Sequence, residues 1–158
     1  MNFLRFLMLL ALAIWLGGLI FFPVVAGIAF SRLQVQRAGV IVADSLVALH
    51  WIGMVAGATF LPSSLLYDRL LEGRMRNWRL CHALVVLMLA LTAISQFSII
   101  PRMEALRSSG RELSTLPAAS PTRLQFDSLH AASVRVESGV LVLGLAALYL
   151  TGRRLRSA

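Results

Sequence analysis

Four long apolar runs, separated by short arginine-bearing breaks, make up most of the chain. They cover Phe6 to Phe30, Gly39 to Leu61, Leu80 to Ile100 and Phe126 to Leu150. Each holds about 20 or more residues, enough at a 1.5 Å rise to cross a hydrocarbon core roughly 30 Å thick. The pattern predicts an all-α polytopic membrane protein: one four-transmembrane-helix bundle over residues 1–158, with spans at about 6–30, 39–61, 80–100 and 126–150. The first run is longer than the apolar core of a signal peptide and is read as a retained span. Pro23 is expected to kink it, and Gly17, Gly18 and Gly27 to allow close helix approach. Ser31 to Ala38 reads as a short turn, and Pro62 as the end of the second span. Residues 101–123 lack a sustained apolar period and hold Pro101, Pro117 and Pro121, so they read as a long outer loop with a short helix at Met103 to Ser108.

Composition excludes the soluble alternative. The chain is 58% hydrophobic with a mean hydropathy of +0.80, well above the apolar share of a soluble domain. A domain of this length has no core large enough to hide so much apolar surface. The formal net charge of +8 comes entirely from arginine, because the chain contains no lysine. These arginines sit in the breaks between apolar runs, where membrane topology uses them, so no nucleic-acid partner is expected. The partner the pattern implies is the lipid bilayer. The single Cys81 excludes an intrachain disulfide and any multi-cysteine metal site.

Polar residues inside the apolar runs change the picture. Phe126 to Val142 (FDSLHAASVRVESGVLV) opens the fourth span yet carries Asp127, His130, Ser133, Arg135, Glu137 and Ser138. At about 100° per residue, Asp127, His130, Val134, Glu137 and Leu141 fall on one stripe with Ser133 at its edge. Arg135 points nearly the opposite way and is expected to snorkel to headgroups or meet another helix. In the second span His50 shares a face with Gly53 and Gly57, a small-residue seam that turns it towards another helix, and Asp44 lies nearer the span's end. The third span places Thr92, Ser95 and Gln96 in the matching half, while His82 at its other end reads as an interfacial residue. Ionisable groups at membrane depth are costly unless paired or wetted, so convergence from three helices marks a candidate site. Its members are His130, Glu137, His50, Asp44, Ser133 and Gln96.

Two places resemble a known family. Phe126-x-x-x-His130-x-x-Ser133-x-x-x-Glu137 resembles the F-x-x-x-H-x-x-S-x-x-x-N signature of the transmembrane protein 205 family and its bacterial relatives, the domain of unknown function 4149 family. Ile100-Pro101-Arg102-Met103 resembles the Pro-Arg pair that follows the third span there, and Trp15-Leu16-Gly17 is compatible. The departure is Glu137, an ionisable acid where the family commonly has a neutral Asn. The resemblance implies a four-helix membrane protein and names no reaction.

Four spans put both ends of the chain on one side. Arg5, the Tyr67–Arg79 stretch and Arg153, Arg154 and Arg156 make that side the more basic, which predicts cytoplasmic termini in a bacterial inner membrane. The polar convergence then lies in the outer leaflet. One function it fits is binding or transport of a small solute or a divalent metal, with His130, Glu137 and His50 as ligands. Imidazole with carboxylate suits Zn, Cu, Ni or Fe. A second is b-type haem held by His50 with His130 or Met54, against which the two histidines differ in depth by roughly 10 Å. A third is a non-catalytic accessory subunit of a larger membrane complex, its polar seam packed on a partner; transport through four helices alone would need a homo-oligomer. No phosphate loop and no nucleophile–base pair is legible, so the balance leans away from an enzyme, with no catalytic residue assigned.

Overall fold

The computed structural model describes residues 2–72, 80–108, 116–117 and 119–156. Among these there are helices and no strands: α1 (Asn2–Arg32), α2 (Val35–Glu72), α3 (Leu80–Ile94), a π-helical turn (Ser95–Ile99), α4 (Ile100–Arg107) and α5 (Pro121–Arg156). α3, the π-turn and α4 form one continuous run, so four helical stretches are long and apolar enough to cross a membrane. Only between 22% and 33% of each apolar window is buried inside the bundle. The remainder, including Ile20, Phe21, Val55, Phe97 and Val142, faces outward, as a lipid-solvated helix requires and a water-solvated one does not tolerate.

The helices pack in the cyclic order α1, α2, α3, α5, so α2 and α5 stand across the bundle's diagonal. The core between them holds Leu12, Trp15, Leu16, Phe60, Val85, Met88 and Val140, all nearly free of solvent contact. Four glycines, Gly18, Gly53, Gly57 and Gly144, set close approaches. A side chain at Gly53 would overlap the indole of Trp15, one at Gly57 would overlap Leu89, and one at Gly144 would overlap Leu16 and Met88. Of the three glycines expected to serve in α1, Gly18 alone does so, against Leu49; Gly17 and Gly27 face open space.

Two expected helix ends at proline are not ends. Pro62 does not end the second span, because α2 continues through it to Glu72. A proline removes one N–H and one intrahelical bond, and in a bilayer neighbouring helices and Ser or Thr side chains can absorb that loss. At 38 residues α2 is about 57 Å long. It therefore extends several turns beyond a hydrocarbon core of roughly 30 Å. Pro101 likewise does not end the third span. The helix reaches it through the π-turn, in which the N–H of Ile100 bonds the carbonyl of Ser95, five residues back. Pro101 offers no N–H to the carbonyl four residues before it, and the wider turn relieves that mismatch. α4 then runs on to Arg107. The expected outer loop thus begins about two turns later than residue 101, and of it Arg111 lies outside the described residues, as do Arg74, Arg76 and Arg79 of the basic stretch.

Candidate functional site

The π-turn bears directly on the site, because Gln96 sits in it. Its Oε1 lies 2.9 Å from Nδ1 of His50 on α2. The other ring nitrogen of His50, Nε2, is 2.7 Å from Oε1 of Glu137 on α5. His50 is 1% exposed, so its ring bridges the diagonal of the bundle in a place closed to water. An amide oxygen only accepts, so Nδ1 carries a proton and donates it to Gln96. The short contact at Nε2 then requires one further proton, shared between imidazole and carboxyl. The pair is neutral as a unit whichever partner holds it, which is the state the membrane interior favours.

Not every polar atom here is satisfied. Oε2 of Glu137, Oγ1 of Thr92 and Oγ of Ser95 are buried without a hydrogen-bond partner. A buried polar atom left unpaired costs free energy, so unpaired atoms of this kind mark places where a water or ligand belongs.

Glu137 also lines a cleft of about 670 Å³. Its walls come from Leu19 to Phe30 of α1, Val35 to Leu46 of α2, Ile100 to Arg107 of the third helical run and Phe126 to Leu141 of α5. Apolar side chains dominate them. The polar exceptions are Glu137, Ser133, Ser138 and His130 along α5, Gln36 on α2, and Glu104 with Arg107 on α4. Ser138 turns its hydroxyl back to the carbonyl of Val134. Arg107 bonds Glu104 at 3.2 Å and lies 5.7 Å from the ring centroid of Phe126. That guanidinium is therefore already paired.

The six candidate residues separate into three groups. His50, Gln96 and Glu137 meet through hydrogen bonds. Ser133 is buried and His130 exposed, and both line the cleft. Asp44 is exposed and outside the cleft lining, because it falls on the outer side of α2 when His50 turns inward. Asp127 is exposed as well. Arg135 bonds the carbonyl of Ala131 on its own helix, away from the site. Among the described residues, no group of three or more His, Cys, Asp or Glu side chains is placed to hold a metal ion.

Sequence reasoning missed a second polar region at the opposite end of the bundle. Ser63, Ser64, Tyr67 and Asp68 on α2 and His82 on α3 are all buried, so His82, at the end of its span, packs inside the bundle. Arg5 donates from Nε to the Tyr67 hydroxyl at 2.8 Å and sits 5.4 Å from its ring centroid. The available signal was the helical spacing of Ser64, Tyr67 and Asp68, masked once Pro62 is taken as a helix end. Glu104 and Arg107 fall within the short helix expected at Met103 to Ser108, which is α4.

Comparisons with curated proteins and with solved structures give no match. One family model matches, over residues 10–112. That stretch includes His50 and Gln96 and ends before α5, so Ser133 and Glu137 lie beyond it. Covering most of the chain, the match shows that the protein belongs to the family described as a domain of unknown function, DUF4149.

Proposed function

We propose that this protein binds a small, largely apolar solute drawn from the bilayer, with the solute's polar end seated at Glu137. The observation that carries this reading is the unpartnered, buried Oε2 of Glu137 in a residue that lines an apolar cleft. A volume of about 670 Å³ falls within the range of roughly 300–1,000 Å³ typical of small-molecule sites. A metal is a weaker fit. His50 spends both ring nitrogens on Gln96 and Glu137, leaving no lone pair for a cation, and His130 and Glu137 alone make two ligands. The same occupation of His50 weighs against an axial haem ligand. The arginine distribution supports cytoplasmic termini and a cleft in the outer leaflet of an inner membrane. Kinship with the transmembrane protein 205 family rests on Phe126, His130 and Ser133, beyond the matched segment, and on Pro101-Arg102 and Trp15-Leu16-Gly17 within it.

The test is retention of small molecules through purification. Wild-type protein in a mild detergent should carry a solute that solvent extraction and mass spectrometry detect. Ala43→Trp, which places an indole in the cleft from α2, should remove it by on the order of tenfold or more while leaving the melting temperature near that of the wild type. Equal recovery from both proteins would refute the cleft as the binding site.

A further inference from the structure

Which solutes can enter follows from the charges and hydrogen-bonding roles lining the cleft. Glu104 and Arg107 cancel each other at its mouth. At its deep end, Glu137 and His50 share one proton and are neutral together. His130 is exposed, at the margin of the site. The α1 wall, with Leu19, Phe22 and Phe30 among its residues, carries no ionisable group. An ion drawn to the deep end would bring a charge with no counter-charge at membrane depth, which is the costly arrangement. The unsatisfied atom there, Oε2 of Glu137, is an acceptor whether the shared proton rests on the imidazole or on Oε1. The occupant must therefore bring a donor and no charge.

We infer that the solute class is a neutral amphiphile headed by a hydroxyl group, a long-chain alcohol, whose O–H donates to Glu137 while its tail lies along α1. This rests on the cleft reading above and adds to it the identity of the head group. The Ser133 hydroxyl, on the same face of α5 one turn before Glu137, is a second partner for the ligand oxygen. Fixing Nδ1–H on Gln96 is part of the same device. It holds the ring in one tautomer, so Nε2 stays engaged with Oε1 and leaves Oε2 to the ligand.

Four probes of one chain length decide the point: a primary alcohol, its methyl ether, the ammonium and the carboxylate. Each is equilibrated with the wild-type protein in nanodiscs, and retention is read by native mass spectrometry. The alcohol should be retained about tenfold more than the ether, the worth of one hydrogen bond to a carboxyl group. It should also exceed both ions. Glu137→Gln, which keeps an oxygen acceptor while its amide N–H serves His50, should preserve the preference, and Glu137→Leu should abolish it. Should Glu137→Leu fail to fold, the wild-type series and Glu137→Gln still decide. Equal retention of alcohol and ether, or stronger retention of the ammonium or the carboxylate, overturns the hydroxyl head group and leaves the cleft reading standing. Retention of no probe by the wild type, or equal retention by Ala43→Trp, brings down the cleft reading as well.

Discussion

His50 shows how one residue is held by three helices. Its ring reaches Gln96 on one side and Glu137 on the other, at 2.9 and 2.7 Å, and is closed to water. Removing either partner strands a polar group inside the bundle. Removing His50 and Glu137 together leaves Gln96 alone without its partner, one polar group fewer than the loss of His50 by itself strands. A double-mutant cycle with His50→Leu and Glu137→Leu, read from denaturant melts in detergent, should give a coupling of about 1–2 kcal/mol. A coupling indistinguishable from zero would show that the contact adds nothing to the bundle's cohesion. His130 is the control. It is exposed with no protein hydrogen bond assigned to its ring, so His130→Ala should shift stability by less than about 0.5 kcal/mol. The sequence made His50, Gln96 and Glu137 visible because polar side chains in an apolar run stand out, and helical periodicity gives their faces. It placed His130 and Asp44 beside them for the same reason. Periodicity gives the face of each helix but not the rotation of that helix against its neighbours, so Asp44 faces outward.

At the scale of the helix, glycines and prolines carry opposite lessons. Gly53 lies against α1, and a methyl group there would strike the indole of Trp15, itself fully buried and unable to retreat. Gly53→Ala should therefore cost about 1–3 kcal/mol, the range for an overpacked core. Gly17→Ala meets nothing within 4 Å. It should be neutral or stabilise by about 0.5–1 kcal/mol through helix propensity. Measured together by thermal melting, the two variants separate packing from propensity, and equal effects would contradict the close approach at Gly53. Both residues look alike in the sequence, since each sits in an apolar run. Pro62 and Pro101 were misleading in the other direction, as stop signals taken from helices in water. In this bundle α2 passes through the first, and a π-turn absorbs the second, turning Gln96 towards His50 in doing so. A widened turn five residues long leaves no trace in periodicity, and the presence of Gln96 four residues after Thr92 hinted at the shared face only.

Over the whole molecule, four apolar runs sufficed to read the architecture, because a bilayer demands length and hydrophobicity from every span and little else. The cleft was not legible, since it arises where α1, α2, α4 and α5 separate, and inter-helix distance has no sequence signature. Which leaflet it opens to depends on orientation, and orientation depends on arginine. Arg5, Arg69 and Arg153 lie at the end of the bundle shared by Asn2 and Arg156, whereas Arg32, Arg37, Arg102, Arg107 and Arg123 lie at the other. The basic stretch around Arg74, Arg76 and Arg79 and the terminal Arg154 and Arg156 tip the balance to the first end. At the second end two arginines are already engaged, Arg107 with Glu104 and Arg123 with the carbonyl of Leu116. Ser108 closes α4 beside the cleft mouth and is exposed, which makes it a reporter for that end. With Cys81→Ser as background, Ser108→Cys should react with a membrane-impermeant maleimide added outside intact cells. Labelling only after the cells are opened would invert the protein and put the cleft in the cytoplasmic leaflet.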